Sequence, residues 1–309
     1  MDVGRAVLFV PGDRPDRIVK ALATPADSVA VDFEDAVAAA EKPSARTSTA
    51  EVLTGLPQRP GPAVYVRINA LEDAHAEADL AAVAAMLTTA DLAGLIVPKT
   101  ESAAQIEQLD GRLTAAERAA GIEPGQLSLV PIVETARGVL ASAAIASAAP
   151  RVATLLFGTL DLAHELGVEP TVEGRELLHA RSQLVLASRA AGLDGPVDGP
   201  YPALDDEDGL LRSSAAAREL GFSGCVVLHP RQVGPVRDAF APAPHELHRA
   251  REVLAAYEAA QDRGVGALQL PDGTFIDRPV VARAVALISA ADAGSGPGTG
   301  SGPGTEVAR

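Results

Sequence analysis

Short apolar runs recur along the chain, and between them apolar residues return every third or fourth position. The runs are AVLFV (6–10), SVAVDF (28–33), AVYVRI (63–68), GLIVP (94–98), LSLVPIV (127–133), ATLLFG (153–158), GPVDGPY (195–201) and GCVVLHP (224–230). Runs this short, β-branched and apolar at nearly every position predict strands buried on both faces, as in a parallel sheet. The seventh, broken by Pro and Gly, is the least strand-like. The stretches 72–87, 173–191 and 206–220 predict helices, and the last two stop at Gly192 and Gly221, where a left-handed terminating residue is expected. Eight such alternations predict an α/β fold of the (β/α)8 TIM-barrel type over residues 1–242. An open doubly wound sheet competes, but it usually has fewer strands, and no GxGxxG follows the first run.

Two further elements follow the eighth unit, in an extension over 243–291. Residues 244–262 predict a long helix, and ALQLPDGTFID (267–277) predicts a hairpin with an Asp-Gly turn. Residues 292–309 contain GSGPGT written twice. A segment with no side chains to bury and a high ordering entropy is expected to be a disordered tail, so the folded part should end near Ala291.

Composition narrows the function classes. Forty-one acids against 26 Lys and Arg leave a net charge of −15, which argues against nucleic acid or anionic membrane as a partner, a local basic pocket excepted. Cys225 is the single cysteine, so no internal disulfide or cysteine-rich zinc site can form. With 47% hydrophobic but only 3% aromatic residues, Ala, Val and Leu must fill the core. No apolar run approaches the roughly 18 residues of a membrane helix, and the N-terminus lacks a secretory h-region, so a cytoplasmic protein is expected.

The strand ends carry the chemistry. In a barrel, catalytic groups collect where strands end. Here the ends bring Pro11, Gly12, Asp13 and Arg14; Glu34 and Asp35; Arg67 and Asn69; Lys99; Glu134; Asp161; Asp198 and Tyr201; and His229 and Arg231. Any one acid could serve only as a helix cap or a solvated charge. Eight polar strand ends together point to a site. Carboxylates crowded near the axis repel one another, which a hard cation would relieve. Glu134 and Asp161, on neighbouring strands, suit Mg²⁺, which takes one or two carboxylates and fills its other positions with water and substrate. Arg67 beside such an ion suits a substrate carboxylate or an enolate oxygen. His245 and His248 in HELH miss the HExxH spacing and read as exposed helix residues. GFSGC (221–225) is not the GxSxG of a hydrolase, and no P-loop is present.

In order and spacing, the segments LFVPGDRPDRIVKAL, VAVDFEDAVAAAEKPSAR, VYVRIN, GLIVPKTES, PIVETARGVL, LFGTLDLAHELG, ARELGFSGCVVLHPRQV and DGTFIDRPVVARA resemble the citrate lyase β-subunit-like (CitE-like) proteins of the HpcH/HpaI aldolase superfamily. The likeness covers about 285 residues. It implies a (β/α)8 barrel, usually a homotrimer or homohexamer. It implies that Glu134 and Asp161 hold Mg²⁺ and that Arg67 meets the substrate carboxylate and forming enolate. Glu34 and Asp35 would lie beside the site, and Pro98, Lys99 and Gly158 would line the substrate. Asp277 would reach a neighbouring subunit's site and handle the acetyl-group proton. A basic pocket of Arg14, Arg17 and Lys20 would hold the phosphates of coenzyme A.

Three departures stand out. Cys225 replaces a common lysine and reads as a buried apolar residue at the start of a strand. DGPY replaces DGVY. His164, near Asp161, replaces a small residue and reads as an exposed helical position.

The activity so implied is Mg²⁺-dependent retro-Claisen cleavage of a 3-hydroxyacyl-CoA thioester of the citramalyl, malyl or methylmalyl type, giving acetyl- or propionyl-CoA and an oxo acid. A citrate lyase β subunit acting with partner subunits on a carrier-bound thioester is one alternative. A free oxo-acid aldolase is another, although Asp35 stands where those relatives have histidine. A non-catalytic ligand-binding or assembly subunit would be expected to lack Arg67, Glu134 or Asp161.

Overall fold

The computed structural model describes residues 3–55, 61–171, 174–261 and 266–294. The chain forms two compact units, Met1–Phe240 and Ala241–Arg309. In the first, the order is β1 (Ala6–Pro11), α1 (Pro15–Leu22), β2 (Ser28–Asp32), α2 (Lys42–Gly55), β3 (Ala63–Arg67), α3 (Ala76–Met86), β4 (Gly94–Val97), α4 (Ala103–Ala119), β5 (Ser128–Val133), α5 (Ala136–Ala146), β6 (Leu156–Phe157), α6 (Thr159–Leu166), α7 (Leu178–Ala190), β7 (Val197–Asp198), α8 (Glu207–Leu220), β8 (Gly224–Val227) and α9 (Val233–Phe240). The second holds α10 (Pro244–Gln261), β9 (Leu268–Gln269), β10 (Phe275–Ile276) and α11 (Arg278–Gly294).

β1 to β8 pair in parallel, each with the next, and β8 closes on β1 through Ala6↔Cys225, Val7↔Val226 and Leu8↔Val227. This is the (β/α)8 barrel. Its side chains sort by strand parity. Val7, Ala30, Tyr65, Ile96, Val130, Ile132, Leu156, Val197 and Val226, with at least one from every strand, pack together inside the barrel. The alternate residues, among them Leu8, Val31, Val66, Leu95, Val133, Phe157 and Val227, pack outward in one cluster with buried helix residues such as Ile18, Ile106 and Leu184. Fully buried Tyr65 fills the barrel among aliphatic residues, and Phe9 packs against the same cluster.

Local chemistry shifts several element boundaries. The helix expected at 72–87 begins only at Ala76, because the Asp73 carboxylate accepts from the His75 N–H at 2.7 Å and holds 71–75 as a turn. The helix expected at 173–191 opens with a tight turn at Arg175–Leu177 after left-handed Gly174; residues 172 and 173 lie outside the described residues. α8 follows expectation, with Asp206 capping it through the Gly209 N–H and left-handed Gly221 ending it. The hairpin of the second unit is antiparallel, as expected. Its turn is longer than an Asp-Gly pair: Gly273 N donates to Leu270 O and Leu270 N to Thr274 O, both at 2.9 Å, so Pro271, Asp272 and Gly273 form a three-residue loop. Gly273 takes the left-handed place, at φ +88°. α11 continues to Gly294, past the Ala291 expected as the end of folded chain; the rest of the Gly-Ser-Pro stretch lies outside the described residues. Among the described residues no helix is long and apolar enough to cross a membrane.

Candidate active site

The parity that fills the barrel also aims the polar strand ends. Two residues beyond the interior Ala30, Tyr65, Ile96, Ile132 and Leu156 stand Asp32, Arg67, Pro98, Glu134 and Gly158. All five therefore cap the interior layer on the C-terminal face of the barrel.

Arg67 is the hub. Its Nε and Nη2 donate to the two oxygens of Asp32 at 2.7 and 2.6 Å, a bidentate pair, and its Nη1 lies 2.7 Å from Glu34 Oε2. Its guanidinium carbon stands 5.2 Å from the centre of the Phe9 ring. Burial opposes its charge, but Asp32 and Glu34 outweigh burial and hold Arg67 firmly protonated. Asp32 is almost wholly buried, and its oxygens also accept from Glu34 N at 2.8 Å and Ala36 N at 3.0 Å. It thus fixes both the arginine and the chain that carries Glu34. Nothing in the sequence reading singled out Asp32, because it lies inside the run SVAVDF. Counting by twos from Ala30 would have found it.

Lys99 joins the acids of separate strands. Its N–H donates to Glu134 Oε1 at 2.7 Å, and its Nζ donates to Glu34 Oε1 at 2.9 Å. Burial raises the pKa of Glu34, opposed by Arg67 and Lys99. For Glu134 burial is again the largest cause. The Lys99 N–H opposes it, Asp161 and Glu34 reinforce it, and the carboxyl is pushed up to about 8. Gly158 makes room for this side chain: a Cβ there would lie 2.3 Å from Glu134 Cβ and 2.5 Å from Oε2.

Beneath the site lies a second polar layer, also unforeseen. Lys42 is buried, and its Nζ donates to the carbonyls of Phe33 and Glu34 at 2.8 and 2.9 Å and to Asn69 Oδ1 at 2.5 Å. Asn69 in turn donates through N and Nδ2 to Asp79 Oδ2, and Arg46 Nε donates to Asp79 Oδ1 at 2.6 Å. In the sequence EKPSAR, Lys42 and Arg46 look like an ordinary solvated helix face.

Other named residues stand apart from this cluster. Asp161 is exposed in the first turn of α6 and reaches Glu134 through its charge. Asp35 is exposed and acts on Glu34 in the same way. Arg14, Arg17 and Lys20 are exposed on or beside α1; Arg14 and Lys20 both pair with Asp16, at 3.8 and 3.6 Å. Asp198 has the opposite parity to Val197. It points to the helix layer, where Arg181 of α7 donates to it at 2.5 Å, so it is not part of the axial site. His229 caps the turn Pro230–Gln232, and Arg231 pairs with Asp205, both on the exposed surface. Cys225 is buried, its Sγ 3.1 Å from Gly199 O, and burial pushes its thiol pKa well up. His164 is exposed, as are His245 and His248. Asp277 lies in the second unit, where its Oδ1 accepts from Val280 N at 3.2 Å at the start of α11.

The donor set suits a hard cation rather than zinc. Among the described residues no three His, Cys, Asp or Glu side chains form a metal cage. Glu134 is nonetheless a buried acid whose pKa is pushed up by burial and by the charges of Asp161 and Glu34, and a cation bound there would favour its ionised form. Among the described residues the Lys99 N–H is its hydrogen-bond donor, at Oε1, and Oε2 lies in the space that Gly158 leaves free of a side chain. Glu134 with Asp161 fits Mg²⁺, which needs only one or two protein carboxylates.

The sequence profile of the HpcH/HpaI aldolase/citrate lyase family matches residues 5–230. The chain belongs to this family. It is 34% identical over 289 residues to citrate lyase subunit beta of Leuconostoc mesenteroides subsp. cremoris, covering 94% of this chain and 93% of that one. It is 32% identical to the mitochondrial citramalyl-CoA lyase of Rattus norvegicus, over 93% of this chain and 86% of that one. The crystal structure of CitE from Mycobacterium tuberculosis in complex with magnesium, acetoacetate and coenzyme A superposes with a TM-score of 0.76 at 33% identity. It covers 94% of this chain and 98% of that one. The curated relatives are lyases, and this family member is an enzyme of the same class.

Proposed function

We propose that the protein is a Mg²⁺-dependent carbon–carbon lyase acting on a 3-hydroxyacyl-CoA thioester of the citramalyl, malyl or methylmalyl type. The observation that carries this reading is the axial cluster of Arg67, Glu34, Lys99 and Glu134, with Glu134 buried, crowded by acids and pushed up to about 8. Glu134 and Asp161 are the metal's ligands in this reading, and the ion would supply Lewis-acid polarisation of the substrate's carboxylate and hydroxyl oxygens.

The chain's own groups do the rest. Arg67 has five N–H donors, of which Asp32 takes two and Glu34 faces a third nitrogen position; its remaining donors can meet a substrate carboxylate or an enolate oxygen. Lys99, half exposed, and the wall made by Pro98 and Gly158 complete the substrate side. Removal of the substrate's hydroxyl proton turns that carbon into the carbonyl of the departing oxo acid. The C–C bond breaks, and its electron pair passes to the acetyl or propionyl thioester as an enolate. A proton returned to the enolate carbon completes the thioester. Glu34 and Asp35 are the acids beside the first transfer, and Asp277 is the donor for the last. Because Asp277 belongs to the second unit, we further propose that the enzyme is a homotrimer or homohexamer in which it serves a neighbouring subunit. Arg14, Arg17 and Lys20 are the proposed phosphate contacts for coenzyme A.

The 34% identity to a citrate lyase subunit favours a second reading, in which the thioester is carried by a partner protein. Assays with a CoA thioester and with the same acyl group on a carrier protein separate the two. The metal roles are tested by titrating Mg²⁺ calorimetrically into wild type, Glu134→Gln and Asp161→Asn. Weaker binding in both variants supports the assignment, and wild-type affinity in both refutes it.

A further inference from the structure

Lys99 is, among the described residues, the one non-glycine residue with a left-handed backbone, at φ +48°. A lysine there carries a steric cost that glycine would not, because its Cβ crowds the following carbonyl. Contacts on both sides and the Lys99 Nζ–Glu34 pair together hold the conformation. On one side Val97 is held in the sheet by pairing with Pro131. On the other, buried Thr100 is pinned twice: its N donates to Ile132 O at 3.1 Å and its Oγ1 to Val97 O at 3.0 Å. Strain held in this way collects at functional sites. The result here is specific. The left-handed turn points the Lys99 N–H at Glu134 after β5 while its side chain runs back to Glu34 after β2. The two acids arise on non-adjacent strands, and Lys99 touches both.

We propose that Lys99 is a positioning residue with two separable functions, its left-handed N–H seating the Glu134 carboxylate and its ammonium seating Glu34. The metal arm of the test rests on the proposed Mg²⁺ role of Glu134; the rest does not. A residue of this kind explains why the position holds lysine and not the less costly glycine: glycine would supply the N–H but not the ammonium. It also explains why one oxygen of Glu134 is left open. The Lys99 N–H takes Oε1, and only Oε2 remains for another partner.

Two variants separate the functions. Lys99→Gly removes the ammonium and relaxes the strain, keeping the N–H in place. Lys99→Met removes the ammonium but keeps the strain, with Glu34 no longer holding it, so the turn should relax and withdraw the N–H. Crystal structures of both are expected to show Glu34 released in each, with Glu134 in its original rotamer in Lys99→Gly and displaced in Lys99→Met. Mg²⁺ affinity is expected to stay at the wild-type level in Lys99→Gly and to fall about tenfold in Lys99→Met, the usual scale for losing an outer hydrogen bond to a ligand. KM for the thioester should rise alike in both. Glu134 and Glu34 unmoved in both variants, or Glu134 displaced equally in both, would overturn the proposal. If wild type binds no Mg²⁺ at all, the metal reading fails, and the two rotamers still decide the role of Lys99.

Discussion

Replacing Gly158 by alanine puts the packing of the site under direct test. The added Cβ would lie 2.3 Å from Glu134 Cβ, 2.5 Å from Oε2 and 3.2 Å from the carboxyl carbon. Ordinary contacts between such atoms are about 3.5–4.0 Å, so roughly 1 Å must be recovered. Rotating the Glu134 side chain cannot recover it, because its Cβ is fixed to the backbone at the end of β5. Nor can β6 withdraw freely, since Gly158 N donates to Val133 O at 3.1 Å. The strands must part or the carboxylate must leave. Overpacking of this kind costs about 1–3 kcal/mol. For a domain of this size each kcal/mol moves Tm by about 2–4 °C, so a fall of roughly 2–12 °C is expected. Mg²⁺ affinity should drop by about tenfold or more, because the displaced carboxylate loses its Lys99 N–H. Differential scanning fluorimetry and Mg²⁺ calorimetry on the same preparation read both effects. A Gly158→Ala protein with wild-type Tm and wild-type Mg²⁺ affinity would show that Glu134 does not need this space, and the placement of the carboxylate would be wrong.

Three further outcomes follow from the same geometry. Glu134 is raised from 4.5 to about 8, so the folded protein holds a proton that the unfolded chain has lost. Its contribution to stability is full below the unfolded value and is lost as pH rises through about 8, whereas Mg²⁺ needs the ionised form. Affinity for Mg²⁺ should therefore tighten by up to about tenfold per unit from pH 6 to 8, with proton release, and level off above that; a flat profile in calorimetry would contradict the shift. Asp32→Asn breaks the buried bidentate pair with Arg67 and should cost about 3 kcal/mol in urea unfolding, the low end for such pairs because Glu34 remains; a loss within error of zero would mean that Asp32 does not hold the arginine. Arg67→Ala and Asp277→Ala should each be inactive alone. When they are unfolded and refolded together, part of the activity should return through mixed oligomers, and a mixture as inactive as its components would refute action across subunits.

The barrel was readable because seven of its strands lie in short apolar runs, and several of the stretches between them carry apolar residues at helical spacing. Even the two-residue β6 and β7 lie inside runs picked out by their composition. The site was readable less evenly. Arg67, Glu134, Glu34 and Lys99 follow their strands and draw attention as charges after apolar residues. Asp32 does not, because it looks like part of the strand, and Asp198 misleads, because a charge at a strand end has an even chance of facing the helices. Strand parity separates these two, but it needs the register, which closure of the barrel supplies. Lys42 was hidden for another reason. Its partners, Phe33 O, Glu34 O and Asn69, lie on other elements, and a lysine on a helix beside Glu41 gives no sign of burial. The left-handed Lys99 was equally hidden, since only glycine announces that conformation in a sequence.

The most direct measurement is cleavage itself. The purified protein would be incubated with Mg²⁺ and, separately, citramalyl-CoA, malyl-CoA, β-methylmalyl-CoA and citryl-CoA, and release of acetyl- or propionyl-CoA and of the oxo acid would be followed. The account predicts that at least one is cleaved, that EDTA abolishes the reaction and that Mg²⁺ restores it. No cleavage of any of the four by folded, Mg²⁺-binding protein, or cleavage indifferent to EDTA, would contradict it.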